Sequence, residues 1–281
     1  MMLPLNAELI AEQSLAARQV MAIEVTSSTP STNTALRLQI AHLSGPMLLA
    51  AEQQTAGRGR AGRSWQSAPG DSLCFSLAWP CQLSMARLSG LSLMVGVVVA
   101  ETLRSQGWPV QLKWPNDLLL EGAKLGGILI ETAHRHASPA LWALIGIGIN
   151  VHPNRERDFA LANSIAVLHP QSAPDHQRVI DRNYLLARLA DALSATLTLF
   201  DSEGLSPFVG RWQALHAYQD QPVCILEEDA VLHEGLARGI DDSGRLLLDT
   251  RAGRIAITAG DVSLRPVGRA LPKGDAHAAV D

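Results

Sequence analysis

Residues 57–63 read GRGRAGR and are followed by Ser64 and Trp65. Glycine lets the backbone approach a ligand closely, and the arginine guanidinium binds phosphate or carboxylate oxygens two at a time. The spacing matches neither a Walker loop nor the glycine-rich dinucleotide motif. The segment therefore predicts an anion-binding loop, with a solvated hairpin or a non-specific RNA contact as the alternatives.

Two further segments, 113–117 and 124–127, read KWPND and KLGG, and each begins with one of the three lysines of the chain. A lysine ammonium is a compact, mobile charge that suits a phosphate or a carboxylate. The Asn-Asp turn would fall at a strand end, where α/β proteins place their sites. Ordinary turn chemistry, an exposed hairpin charge and a mutational bias against lysine are the alternatives.

Two more segments have polar or small residues in unusual patterns. Residues 31–33 read STN before a helical pattern, which indicates helix capping by Ser31 or a polar cluster for a small ligand. Residues 145–151 read IGIGINV, so one face of the predicted strand lacks side chains and another body must press against it. A ligand, a helix or another subunit would satisfy this pattern, and the strand is a candidate edge for a homodimer.

The elements that position these segments alternate between helix and strand periodicity, which predicts an α/β or α+β domain. The segment 7–20 has helical composition, and Asp181 is placed to cap a helix with leucine at every fourth position. Helices are predicted from residue 31 and over 85–103, and strands over 47–52, 73–79, 110–114, 118–120, 128–130 and 141–149.

Near residue 220 the pattern changes to short β-type runs joined by turns such as Asp242-Ser243-Gly244. Hairpins of this kind over about fifty residues suggest a small β-barrel. We therefore expect a catalytic-type domain over residues 1–218, a β-domain over 219–270 and a tail over 271–281.

Composition excludes several classes of protein. The chain has 281 residues, is 47% hydrophobic and carries a formal charge of −4, so it is neither disordered nor globally basic. The most apolar stretch, 91–100, is short for a membrane span, and no secretory signal is evident. Cys74, Cys81 and Cys224 show neither metal nor disulfide spacing. We expect a cytosolic protein without a membrane partner.

Together and in this order, the segments resemble the biotin protein ligases over roughly residues 25 to 266. The resemblance implies a mixed-sheet, class II synthetase-like biotin/lipoate ligase catalytic domain with a small C-terminal SH3-like β-barrel. It also implies ATP-dependent biotinylation of a lysine of a biotin carboxyl carrier domain, as in acetyl-CoA carboxylase, with Mg²⁺ as the ion. Biotin and ATP would first form biotinyl-5′-AMP, and the carrier lysine would then take the acyl group.

The resemblance also implies roles for individual residues. Lys124, Arg58 and Arg60 would be catalytic, because cations must neutralise the α-phosphate and orient both reactants, and the arginine loop would close over the intermediate. The residues expected to bind biotin are Ser31, Thr32, Asn33, Gln54, Gly57, Arg58, Gly59, Arg60, Lys124 and Gly127. Those expected to bind the nucleotide are Arg58, Arg60, Arg63, Trp65, Lys113, Asn116, Asp117 and Arg265, with Asp117 also a candidate metal ligand.

Two features depart from the family pattern. Ala61 stands where many relatives have arginine, which bears on how tightly the loop retains the adenylate. The leading residues are too few for the N-terminal DNA-binding module of bifunctional members, so we expect a ligase that binds no specific DNA sequence. A lipoate ligase of the same fold and a non-catalytic biotin-binding regulator are the alternative functions.

Overall fold

The computed structural model describes residues 3–81, 85–135, 141–154, 165–168, 180–227, 230–260 and 262–267, without the side chains of 85–87. The expected tail over 271–281 lies outside the described residues. The helices are α1 (Ala7–Gln13), α2 (Ala17–Val20), α3 (Thr32–Gln39), α4 (Leu91–Ser105), α5 (Arg182–Glu203) and α6 (Val209–Leu215), with 3₁₀ turns at Met85–Gly90 and Ser206–Phe208. The strands are β1 (Ala22–Thr29), β2 (Met47–Gln54), β3 (Gly57–Arg58), β4 (Ser64–Trp65), β5 (Ser72–Cys81), β6 (Gln111–Lys113), β7 (Asp117–Leu120), β8 (Ala123–His134), β9 (Leu141–Asn150), β10 (Pro222–Glu227), β11 (Ala230–Ile240), β12 (Leu246–Thr250), β13 (Gly253–Ile257) and β14 (Val262–Pro266).

The larger sheet has seven strands in the order β1-β2-β5-β9-β8-β7-β6. Only β1 and β2 are parallel, and every other neighbouring pair is antiparallel, which makes this a mixed sheet. Because β9 is paired on both sides, by β5 and β8, the expectation that it forms a dimer edge is wrong. The apolar run of β9 reflects burial in the middle of the sheet.

Helices cover both faces of this sheet. α4 and α5 pack against each other, and both contact strands of the sheet. α3 lies against β2, β5 and β9 and closes a second, smaller core around Leu36, Trp142 and Leu144. Both predicted caps are confirmed, since Ser31 accepts a hydrogen bond from the Thr34 amide and Asp181 accepts from the amides that open α5.

The segment 7–20, which has helical composition, forms two short helices rather than one, because α1 ends before Ser14 and α2 begins at Ala17. Asp191 of α5 causes the break: its carboxylate accepts hydrogen bonds from the Ser14 hydroxyl and from the amides of Leu15, Ala16 and Ala17, at 2.7–2.9 Å. Amides held by this carboxylate cannot continue the helical ladder.

The segment Leu88–Ser105 is long and apolar enough to cross a membrane, and 67% of it is buried inside the protein. It consists mainly of α4, which is apolar on nearly all sides because it packs between α5 and the sheet. A buried core helix passes the same test of length and composition as a membrane span.

The C-terminal strands form a five-stranded antiparallel sheet in the order β13-β12-β11-β10-β14. The predicted turn at 242–244 joins β11 to β12, with Gly244 at a φ of 77°. The mixed α/β architecture with a smaller C-terminal β-sheet is confirmed. The described pairings leave β13 and β14 as edges and do not by themselves close a barrel, and the exact domain limits stay predictions.

Candidate active site

One cavity, with a volume of about 150 Å³, brings together nearly all the residues singled out from the sequence. It lies where α3, the β3–β4 hairpin, the ends of β6–β9 and the last C-terminal strand meet. Gly57 is absent from its lining. The sequence-predicted residues that line it are Ser31, Thr32, Asn33, Gln54, Arg58, Gly59, Arg60, Arg63, Trp65, Lys113, Asn116, Asp117, Lys124, Gly127 and Arg265.

The start of α3 forms one wall. The amide of Thr32 donates to Oε1 of Gln54 at 2.8 Å, and the hydroxyls of Thr32 and Ser76 lie 2.6 Å apart. Asn33 is 2% exposed; its Nδ2 donates to Glu131, while its Oδ1 is buried without a hydrogen-bond partner. Buried polar atoms are usually paired. An unpaired acceptor at a cavity is therefore available to a donor on a ligand.

The Gly-Arg segment, expected as a loop, forms a short hairpin of β3 and β4. Gly59 donates its amide to the carbonyl of Arg63 at 2.7 Å, and Ala61 and Gly62 both have positive φ at the tip. A side chain at Gly57 would overlap the carbonyl of Trp65. Gly57 therefore supports the hairpin from behind, and the hairpin directs its arginines at the cavity.

The arginines of this hairpin bind different parts of the protein. Arg58 forms an ion pair with Glu131 of β8 at 2.8 Å. Arg60 donates to Oδ1 of Asn116 at 3.2 Å and to the carbonyl of Gly260 at 2.7 Å. Because Gly260 precedes β14, Arg60 connects the hairpin to the C-terminal sheet.

The paired lysines meet at a single carboxylate. Asp117 accepts from Lys124 at 2.6 Å and from Lys113 at 3.0 Å, one ammonium on each oxygen. Burial alone would raise the pKa of the Asp117 carboxyl, but Lys124 and Lys113 outweigh it and hold that pKa well below its usual range. Burial lowers the pKa of Lys113, and Asp117 opposes that shift. The cluster is therefore a net positive charge at the cavity, suited to an anion.

These contacts do not fit Asp117 as a resident Mg²⁺ ligand. Both of its oxygens already accept from ammonium groups, and the described residues contain no group of three or more His, Cys, Asp or Glu that could hold a metal ion. Magnesium in proteins is held by one or two carboxylates together with substrate phosphates and water. In this structure both Asp117 oxygens are engaged by the two lysines, and its role as a metal ligand stays a prediction.

The glycines of β9 face cavity residues. A β-carbon built at Gly146 would lie 2.8 Å from Oδ1 of Asn33, and one at Gly148 would lie 2.6 Å from the Trp65 indole. The glycine face of β9, which has no side chains, is therefore covered by α3 and by the β3–β4 hairpin of the same chain. Gly127 lies differently, since a β-carbon there would make only ordinary contact with Lys124.

Among the residues at or beside this cavity to which sequence reasoning assigned no role are Ser76, Glu131 and Gly260. Ser76 has no motif around it, and Gly260 contributes only its carbonyl. Glu131 could have been noticed from the sequence, because it directly follows the apolar run 128–130, and a carboxylate beside a predicted core strand needs a cationic or hydrogen-bonding partner.

A mixed sheet that gathers a Gly-Arg hairpin, a capped helix start and paired lysines around one cavity defines a protein that binds a small anionic ligand. Residues 24–150 match the biotin/lipoate A/B protein ligase family, and residues 220–265 match the biotin protein ligase C-terminal domain. The chain belongs to the biotin/lipoate A/B protein ligase family.

Similar curated proteins include the bifunctional ligase/repressor BirA of Salmonella typhimurium, 39% identical, with 84% of this chain and 72% of that protein covered. The biotin--[acetyl-CoA-carboxylase] ligase of Paracoccus denitrificans is 31% identical, with 83% and 97% covered. Among solved structures, the biotin protein ligase from Aquifex aeolicus in complex with biotin and ATP is 29% identical, has a TM-score of 0.73, and is covered over 99% of its length and 87% of this chain.

Proposed function

We propose that this chain is an ATP-dependent biotin–protein ligase that attaches biotin to a lysine of a biotin carboxyl carrier domain. The observation that carries the proposal is the cavity itself: four arginines and two lysines line it, and a buried, unpaired amide oxygen lies at its wall. The cationic side chains can bind the carboxylate of biotin and the phosphates of ATP. The unpaired amide oxygen can accept a hydrogen bond from an N–H group of biotin.

In the first half-reaction the biotin carboxylate oxygen attacks the α-phosphorus of ATP, a P–O bond forms, and the bond to pyrophosphate breaks. Two anions must approach each other, so cations placed beforehand lower the barrier. Lys124 is the residue placed for this role, because its side chain is 43% exposed at the cavity while Asp117 orients its ammonium. Lys113, which is more buried, balances the Asp117 charge.

In the second half-reaction the carrier lysine amine attacks the acyl carbon, AMP leaves with the electrons of the broken C–O bond, and the amine loses a proton. The hairpin residues Arg58, Arg60 and Arg63 would hold the adenylate and limit its access to water. Trp65, Asn116 and Arg265 line the same cavity and would contact the nucleotide.

The choice of partner rests on relatives. The Paracoccus denitrificans protein is named for ligation to acetyl-CoA carboxylase, and its whole length is nearly covered by this chain. We place the reaction in the cytosol, in keeping with the free state of Cys74, Cys81 and Cys224. The expectation that the chain binds no specific DNA sequence stays a prediction.

The decisive experiment is the intact mass of a purified biotin carboxyl carrier domain after incubation with this protein, MgATP and equimolar biotin and lipoate. We expect a biotin adduct on the carrier lysine that is lost with Lys124→Ala and retained with Arg251→Ala, an exposed arginine on the β12–β13 turn. A lipoyl adduct would identify a lipoate ligase, and biotin binding without turnover would identify a regulator.

A further inference from the structure

Glu131 of β8 contacts two of the residues that face the cavity, although it is not itself part of the cavity lining. Its Oε2 accepts from Nδ2 of Asn33 at 2.9 Å and from Nη2 of Arg58 at 2.8 Å. Its side chain is 19% exposed, against 46% for Arg58. A largely buried carboxylate that accepts from two site residues can set how both are oriented.

For Asn33, the contact decides which end of the amide serves a ligand. Nδ2 is occupied by Glu131 and by the carbonyl of Leu129 at 3.4 Å, so the oxygen is the end that stays unpaired. That oxygen lies over Gly146, where no side chain competes with it. Glu131 thereby presents a hydrogen-bond acceptor, which requires an N–H or O–H donor on the ligand.

For Arg58, the contact holds one end of the guanidinium. Its hydrogen-bond partners, the two Glu131 oxygens and Oγ1 of Thr34, are bound by Nη2 alone. Within the described residues, Nε and Nη1 make no hydrogen bond. The remaining donors of a guanidinium held in this way are available to an acceptor on the same ligand.

We propose, building on the proposed ligase function, that Glu131 is the positioning residue that sets the affinity for biotin by orienting Asn33 and Arg58. Biotin carries both counterparts, because its ureido ring has N–H donors beside a carbonyl and its side chain ends in a carboxylate. Lipoate has a carboxylate but no N–H group. The acceptor that Glu131 leaves unpaired on Asn33 therefore favours biotin over lipoate.

Arg37 provides a matched control. It pairs with Oε1 of Glu131 at 3.0 Å and is absent from the cavity lining. Removing it breaks an ion pair of the same carboxylate without touching the residues that face the ligand. Arg37 itself is 41% exposed, and an ion pair with so accessible an arginine contributes little to stability.

The test compares Glu131→Ala, Glu131→Gln and Arg37→Ala by calorimetric biotin binding and by the KM for biotin and for ATP. Glu131→Ala should raise the biotin Kd and KM about tenfold or more, since hydrogen bonds to a charged group are lost, and should raise the ATP KM less than the biotin KM, because only Arg58 of the two residues it orients is also placed at the nucleotide. Glu131→Gln keeps an acceptor for Asn33 but no charge for Arg58, so it should recover part of the affinity. Arg37→Ala should leave both KM values unchanged.

Equal effects on the biotin and ATP KM values, or a loss with Arg37→Ala as large as with Glu131→Ala, would mean that Glu131 only supports the fold. An unchanged biotin Kd in Glu131→Ala with an active wild type would overturn this inference alone. A wild type that binds no biotin would overturn the proposed function together with it.

Discussion

The indole of Trp65 lies directly on the backbone of Gly148, in the space that a side chain would occupy. A β-carbon built at Gly148 would be 2.6 Å from both Cε2 and Cζ2 of the indole. The edge of the ring is fixed as well, because Nε1 of Trp65 donates to Sγ of Cys74 at 3.2 Å. Since Trp65 is part of β4, this contact seats the Gly-Arg hairpin on the central strand of the sheet.

Gly148→Ala should therefore displace Trp65 and slow biotin transfer to the carrier about tenfold or more. The added methyl meets a ring on a buried strand, and such overpacking costs about 1–3 kcal/mol of folding stability. Carrier biotinylation rates and a urea unfolding curve measure the two effects.

The matched control is Gly210→Ala on α6, where a β-carbon would meet nothing within 4 Å. Alanine has the higher helix propensity, so this variant should be as stable as the wild type or more so, with unchanged activity. If Gly148→Ala keeps full activity, then the position of Trp65 does not matter for the reaction.

The glycine face of β9 illustrates what could and could not be predicted from the sequence. Alternation of glycine and isoleucine predicts that something packs on the backbone, and this is confirmed. Which body packs there depends on chain topology: the strand is central, and the partners Asn33 and Trp65 come from segments more than eighty residues earlier in the chain. Local pattern carries no information about such pairings.

The residues that line the candidate site could be predicted from the sequence, but the contacts between them could not. Motif residues 31–33, 58–61, 63–65 and 113–117 line one cavity, as expected from their residue types. That both lysines would meet Asp117, and that Glu131 would bind Arg58, depends on register between β7 and β8 and on the reach of the hairpin. These are three-dimensional relationships between segments that the sequence shows only one at a time.

Asp117→Asn should lower the free energy of unfolding by about 3 kcal/mol, because it leaves two neighbouring ammonium groups, one of them largely buried, without their shared carboxylate. Adding Lys113→Met should recover about 1 kcal/mol or more, since the buried uncompensated charge is then gone. Urea unfolding at constant pH measures both variants.

Asp220→Asn is the control for this pair of variants. Asp220 is exposed and pairs with Arg238, so its loss should not measurably change the urea midpoint. If the Asp117→Asn, Lys113→Met double variant is no more stable than Asp117→Asn alone, then the unpaired Lys113 charge does not destabilise the fold.

His216 predicts a pH dependence of stability. Its ring stacks on Trp212, 4.5 Å between centroids, and burial lowers its pKa from 6.5 to about 4. In the unfolded chain the imidazole takes up a proton as the pH falls below about 6.5, whereas in the folded protein it stays neutral until about pH 4. The unfolded state binds more protons in this window, so stability should fall as the pH drops from 6.5 to 4.

Urea unfolding between pH 7.5 and about 4 should show this loss in the wild type and a smaller loss in His216→Phe, which keeps a ring but cannot be protonated. His233→Phe, a substitution on an exposed part of β11, should follow the wild type. Identical pH profiles for the wild type and His216→Phe would rule out His216 as the source.

Arg60→Ala should uncouple adenylate formation from transfer. Arg60 is the hairpin residue that reaches the C-terminal sheet, through the carbonyl of Gly260, while it also contacts Asn116 of the KWPND segment. Without it the hairpin loses this contact over the cavity, and water gains access to the acyl-adenylate. We expect AMP release in the absence of carrier to rise about tenfold relative to biotin transfer, in line with the loss of hydrogen bonds from a charged group. Arg251→Ala should keep the wild-type ratio of carrier-independent AMP release to biotin transfer. If Arg60→Ala also keeps this ratio, then the contact with Gly260 plays no part in retaining the intermediate.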